Sequence, residues 1–131
     1  MKKGTRVADV KPYGIYSCYE LTPLKEAARK MVTEDISSVV IVNEAGFLRG
    51  ILTRTDLVRA YLESENWAEL PIKEYMSSEV VTVSGRDTLI KVAKLLQDKH
   101  IHRVVVVKEE DGEKRPVAVV SDSDLIQHMV E

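Results

Sequence analysis

At 131 residues, 44% of them hydrophobic, the chain suits one compact globule or two small halves sharing a core, and it is too apolar to be disordered. Its net charge of −2, with both signs interspersed, gives no general attraction to nucleic acid or to an anionic membrane. The single cysteine, Cys18, excludes an internal disulfide and a cysteine-built zinc cage.

The opening MKKGTRVADV has a basic start but no apolar stretch behind it, so it does not read as a signal peptide. No apolar run approaches the ~20 residues that span a bilayer. A reducing, cytoplasmic location is expected. Residues 5–10 predict a short helical turn that Pro12 and Gly14 end. Ile15 to Tyr19 predicts a strand, with Cys18 as a buried thiol. Thr22 as N-cap and Pro23 at the first helical position open a helix to about Glu34. Val39 to Val42 is a β-branched run that predicts a buried strand. Asn43 to Gly46 is a turn, and Phe47 to Leu52 returns as the hairpin partner. Thr53 or Thr55 then caps a helix carrying Leu57, Val58, Tyr61 and Leu62.

Residues 63–71 form a polar link in which Trp67 is expected to pack on the body of the protein. Beyond it the order recurs. Ile72 to Met76 is a lead-in turn, and Val80 to Val83 a first strand. A helix over 89–99 follows, capped by Asp87 or Thr88. Val104 to Val107 and Pro116 to Val120 are strands, and Asp122 to Val130 is the last helix. Pro116 would remove a ladder hydrogen bond in mid-sheet, so it should begin its strand or lie on an edge.

The recurrence is one of residues as well as elements. Leu24, Ala27, Ala28, Met31, Ile36 and Val39 are answered 65 positions later by Leu89, Val92, Ala93, Leu96, Ile101 and Val104. Ile51 to Leu57 is answered by Val119 to Leu125, now 68 positions later, and the slip is expected to be a longer turn at Lys108 to Pro116. The chain therefore reads as two β-α-β-β-α repeats of mixed α/β class, residues 1–66 with an N-terminal lead-in and residues 67–131. Each has a parallel strand pair joined by a crossover helix, then an antiparallel hairpin. A repeat of this size buries too little surface alone, which predicts two halves packed sheet to sheet about a pseudo-twofold axis, with clefts between them.

No catalytic constellation is visible: there is no Walker-type loop, no GxGxxG and no nucleophile beside a base. His100 and His102 lack a carboxylate or cysteine at ligand spacing, so no metal is expected. What recurs is strand, Thr/Ser-x-x-Asp, helix: Thr53 with Asp56, and Ser121 with Asp124. These residue types are ordinary helix caps. They also suit a nucleoside phosphate. A helix N-terminus and a hydroxyl can hold phosphate, and a carboxylate one turn in can accept both hydrogens of a ribose diol.

With Gly50-Ile51-Leu52-Thr53-Arg54-Thr55-Asp56 as its signature, and Ala118 replacing the glycine in the second copy, the chain from about Val7 to Val130 resembles a tandem pair of cystathionine-β-synthase-type (CBS) domains, a Bateman module. The resemblance implies adenine nucleotide or S-adenosylmethionine binding between repeats. One cleft would join Thr53 and Asp56 to His102 and Arg103, the latter pair similar to a nucleotide-contacting His-Arg segment of the gamma subunit of AMP-activated kinase. The first-strand residues Val80, Val81 and Thr82 would flank the base. The other cleft would join Ser121 and Asp124 to Ser37, Ser38, Ile15, Tyr16 and Ser17, without a cationic pair. The resemblance implies a stand-alone, non-enzymatic regulatory protein without a cofactor. Its ligand is expected to be AMP, then ADP or ATP. Its partners are a separate regulated protein and a second copy of the chain, with no nucleic acid and no membrane. Leu57, Tyr61, Leu125 and Met129 could supply part of the dimer face or belong to the core. An interaction subunit with empty clefts and an S-adenosylmethionine sensor are the competing readings.

Overall fold

A three-stranded sheet occurs twice in the computed structural model, which describes residues 4–131. In chain order the elements are helix α1 (Val7–Val10), strand β1 (Ser17–Tyr19), α2 (Leu24–Glu34), β2 (Ser38–Val42), β3 (Leu48–Thr53) and α3 (Arg54–Glu63). Single 3₁₀ turns follow at Trp67–Glu69 and Ile72–Glu74. Then come β4 (Thr82–Val83), α4 (Leu89–Asp98), β5 (Arg103–Glu110), β6 (Glu113–Ser121) and α5 (Asp122–Met129). The mixed α/β expectation and the β-α-β-β-α order hold in both halves.

The chain divides into two compact units. One is Tyr16–Val80; the other is Val81–Glu131 together with the N-terminal segment through Ile15. In the 16–80 unit β1 runs parallel to β2, with Ser17 opposite Val40, and β2 pairs antiparallel with β3, with Ser38 opposite Thr53. Helix α2 turns Leu24, Ala27 and Met31 inward onto Cys18, Val39, Ile41 and Leu52. Burial pushes the Cys18 thiol pKa up. Trp67 packs against this core and meets Tyr61 edge to face, with ring centroids 6.2 Å apart. In the 81–131 unit β4 runs parallel to β5 and β5 antiparallel to β6, with Arg103 opposite Ser121. Leu89, Val92 and Leu96 of α4 pack on Val104, Val106 and Val120. Both crossover helices end alike. Asp35 and His100 adopt left-handed backbone, and the Ile36 and Ile101 N–H groups reach back to the carbonyls of Met31 and Leu96.

The compact units differ from the sequence repeats, because each repeat's lead-in is stitched to the other repeat's body. The Leu24 N–H donates to the Leu70 carbonyl, and the Leu89 N–H to that of Thr5, each at 2.9 Å. Likewise Ile72 donates to Thr22 and Val7 to Asp87, and Lys73 to Glu20 and Ala8 to Gly85, all at 2.9 Å. The partners in each pair of bonds are related by the same 65-residue offset. Val7 and Ile72 have no exposed surface. Burying such a side chain contributes about 1.5–3 kcal/mol, so the exchanged lead-ins belong to the core.

Two local expectations change, at Thr22 and at Lys108 to Pro116, and the open ones resolve. Thr22 does not cap α2; its hydroxyl oxygen accepts the Tyr19 N–H at 3.2 Å, and Pro23 takes the N-cap position. In the second copy Asp87 plays that turn-closing part toward Ser84, and Thr88 is the cap, accepting from Lys91 N–H. The residues from Lys108 to Pro116 are not a loop. They extend the β5–β6 hairpin by three residue pairs, Lys108 with Arg115 to Glu110 with Glu113, closed on Asp111 and Gly112, both at positive φ. That is the twist a two-residue hairpin turn needs. Pro116 sits on the edge strand β6 at a register shift opposite Val107, where a lost N–H is tolerated. Finally, Leu125 is buried in the core of its unit and Leu57 packs against that of the other, whereas Tyr61 and Met129 are 67% and 61% exposed.

Candidate functional site

The Thr/Ser-x-x-Asp segments sit at the same end of each sheet. In the 16–80 unit that end gathers Ser17, Ser38 and Thr53 through strand register, with Ser37 beside them because its carbonyl accepts the Arg54 N–H at 3.2 Å. The Thr53 N–H donates to Asp56 Oδ2 at 2.8 Å, and the Thr53 hydroxyl to the same oxygen at 3.1 Å. The strand ends thus fix the carboxylate one turn into α3 as an N-terminal cap. Its other oxygen, Oδ1, lies 3.2 Å from Arg59, whose guanidinium also lies over the Tyr75 ring at 4.9 Å. Tyr16 precedes β1; its hydroxyl donates to Glu34 at 2.9 Å, which raises its pKa. Val80 closes this unit, half-buried.

In the 81–131 unit the corresponding end gathers Val81, Thr82, His102, Arg103, Ser121 and Asp124. Val81 precedes β4 and its carbonyl accepts the Val105 N–H; Thr82 lies opposite Val105. Ile15 is the last residue of the segment that joins this unit. The Ser121 N–H donates to Asp124 Oδ2 at 2.9 Å, and the Asp124 N–H donates back to the Ser121 hydroxyl oxygen at 3.2 Å. His102 Nδ1 lies 3.0 Å from Asp122 Oδ2, which holds the Asp122 carboxyl below the usual carboxylate range.

Each unit therefore collects one acid cap, one second-strand start and the vicinity of one first strand. Each expected cleft draws its members from both units.

The expectation of free N–H groups at the helix start does not hold at α5. Asp122 N–H is bonded to the His102 carbonyl, Ser123 N–H to Asp122 Oδ1, and Asp124 N–H to Ser121. What that end offers an anion is side chains: the Ser121 hydroxyl proton, His102, Arg103 opposite Ser121, and an ammonium that the sequence did not announce. Lys11 Nζ stands 3.1 Å from Asp124 Oδ2. The sequence reading passed over Arg59, although it lies one turn beyond Asp56 on a helix, and over Asp122 as a site residue, although it is an acid at a helix start. Lys11 was not legible, since nothing in a short lead-in tells which body it packs on.

Hollows of about 610 Å³ and about 770 Å³ lie toward the other end of the two sheets, around Val42 and Val107. Thr82 lines the second, and neither contains a capping acid of α3 or α5. Among the described residues no group of three or more His, Cys, Asp or Glu could hold a metal ion, and no helix is long and apolar enough to cross a membrane.

The architecture is an internally duplicated mixed α/β fold, each β-α-β-β-α copy ending on a capped Thr/Ser-x-x-Asp helix. The family model for the CBS domain matches residues 7–63 and again 72–131, so the chain belongs to the CBS domain family as a tandem pair. Among its relatives, the uncharacterized protein MJ1404 of Methanocaldococcus jannaschii is 29% identical over 115 residues, 88% of this chain and 27% of that protein. The uncharacterized protein MK0525 of Methanopyrus kandleri is 35% identical over 103 residues, 78% of this chain and 51% of that protein. The chain thus spans about a quarter to a half of these relatives. The solved CBS domain pair of protein MJ0100, in complex with 5′-methylthioadenosine and S-adenosyl-L-methionine, matches with a TM-score of 0.86 at 25% identity, covering 96% of each chain.

Proposed function

We propose that the chain is a regulatory module that binds an adenine nucleotide, AMP ahead of ADP and ATP, and through it controls a protein partner. One nucleotide is held by Thr53 and Asp56 with His102, Arg103, Val80, Val81 and Thr82. A second is held by Ser121 and Asp124 with Ser37, Ser38, Ile15, Tyr16 and Ser17. The observation that carries this reading is the duplicated, backbone-fixed carboxylate: Asp56 and Asp124 are held by the Thr53 and Ser121 N–H groups at 2.8 and 2.9 Å. An acid oriented in this way can accept from a ribose diol, and the donors beside it suit one or two phosphates without a metal. The MJ0100 pair, solved with two adenosine compounds, supports an adenosine-containing ligand.

Calorimetric titration with AMP, ATP, S-adenosylmethionine and 5′-methylthioadenosine tests the reading. AMP is expected to bind tightest, and Asp56→Asn with Asp124→Asn to abolish binding while the fold persists. Tighter ATP, no adenosine ligand at all, or indifference to both substitutions overturns it. Tighter S-adenosylmethionine selects the sensor reading that the MJ0100 complex favours.

Regulation follows from differential binding: a nucleotide spanning two repeats favours the arrangement it fits, and a partner sensitive to that arrangement responds. Tyr61 and Leu62 on α3, with Ile126 and Met129 on α5, leave apolar surface exposed, which supports pairing of two copies through these helices. A monomer by sedimentation across micromolar concentrations removes that part of the reading.

A further inference from the structure

Asp124, the acid that the reading above assigns to a ribose, already carries a cation. Lys11 Nζ is 3.1 Å from Asp124 Oδ2, and the two side chains are each 29% exposed. The lysine is delivered by the exchanged lead-in. Helix α1 is fixed on this body by the Val7 and Ala8 N–H bonds, and the Lys11 N–H closes α1 on the Val7 carbonyl at 2.9 Å. Lys11 also lines, with Leu89, Val120 and Leu125, a void of only about 10 Å³, so little space is left beside it there.

The duplication makes this cation specific to one site. Sixty-five positions on, the counterpart of Lys11 is Met76. Asp56 draws its cation from its own helix as Arg59, whose counterpart 68 positions on is Gln127. Two histidines of this unit pair with other acids, His102 with Asp122 and His128 with Glu131, each at 3.0 Å, whereas Lys11 is in contact with Asp124 itself.

The geometry points to Lys11 as the residue that sets ligand charge at the Ser121–Asp124 site, admitting a 5′-phosphorylated nucleoside. This rests on the proposed adenosine reading of that site. A carboxylate without a counter-charge repels a phosphate monoester while still accepting a diol. With an ammonium on Oδ2, that repulsion is offset, and the spare N–H donors lie within Coulombic reach of the phosphate.

AMP and 5′-methylthioadenosine share the adenine and the ribose diol and differ in the charge at the 5′ position, so they separate the charge role from a merely structural one. Calorimetry is run on Asp56→Asn protein, which keeps an acceptor for the Thr53 N–H and leaves the Ser121–Asp124 site to report. Lys11→Met, the residue type of the counterpart position, is expected to weaken AMP about tenfold, the low end for a charge-assisted hydrogen bond. It should leave 5′-methylthioadenosine unchanged, and Lys11→Arg should restore AMP. Equal loss of both ligands, or loss of neither, overturns the role of Lys11 alone. If neither ligand binds while Lys11 is still present, the adenosine reading of this site fails first and this inference falls with it. If Asp56→Asn protein does not fold, the AMP to 5′-methylthioadenosine ratio with and without Lys11→Met in otherwise wild-type protein gives the same decision.

Discussion

Gly50 lies so close to Ser77 that a Cβ at Gly50 would stand 2.7 Å from the Ser77 carbonyl oxygen, and 2.9 Å from Met76 Sδ. The cause is a two-way bridge, Ile51 N–H to Ser77 O and Ser77 N–H to Ile51 O, each at 2.9 Å, which draws the second lead-in onto β3. In the other unit the position matching Ser77 is Pro12, which has no N–H to donate, and the position matching Gly50 is Ala118. The departure from the signature glycine thus has a steric explanation. Gly50→Ala is expected to destabilise by about 1–3 kcal/mol, since the obstacle is backbone. Urea unfolding checks it; a change within error would mean that the bridge gives way freely.

Ser121 is expected to matter for stability before any ligand is added. Its hydroxyl oxygen accepts the Asp124 N–H, so Ser121→Ala leaves that donor without its cap and should cost about 1 kcal/mol. Chemical denaturation of ligand-free protein gives the number. No loss would leave the hydroxyl with a ligand role only.

Acid should weaken the fold through Asp122 and Asp87. His102 depresses the Asp122 pKa, and the Ser84 N–H, with help from Lys91, depresses that of Asp87. A carboxylate whose folded value is lowered contributes stability above its unfolded value, near pH ~4. That contribution is lost as pH falls through the folded value. Both groups keep contact with solvent, so the effect is small. The sharper test is a carbonyl-carbon NMR titration. The Asp122 midpoint should rise toward the ordinary range in His102→Ala, and an unmoved midpoint would remove the histidine as cause.

The β5–β6 turn offers a purely conformational test. Gly112 sits at φ +81°, and a Cβ added there would have nothing within 4 Å, so Gly112→Ala meets no clash. The cost is that of left-handed backbone, about 1–2 kcal/mol. The thermal unfolding midpoint should fall accordingly, and an unchanged midpoint would mean that the hairpin extension is frayed in solution.

The amphipathic stripes of α2 and α4, the buried β2 and β5 runs and the capped starts of α3 and α5 were all legible, because each is a local pattern with a local cause. The hairpin extension was missed although Asp111-Gly112 is a strong turn signal. Its flanks, from Lys108 to Arg115, are charged on both faces and lack the apolar alternation that marks a strand. The exchanged lead-ins were hidden for another reason: one turn of helix with a single buried residue, Val7 or Ile72, has no pattern long enough to name its host. The approach of Lys11 to Asp124 was hidden with them, whereas Asp56 and Asp124 stood out because the duplication marks them twice.

The crossed lead-ins decide how this polypeptide could be divided. Scission in the link near Trp67 would yield fragments each carrying the clasp that belongs to its sibling, and neither would close its own apolar interior. Cleaved halves should therefore recover structure by mutual complementation, and an excised single repeat would need its opposite number's leading segment grafted on to stand by itself.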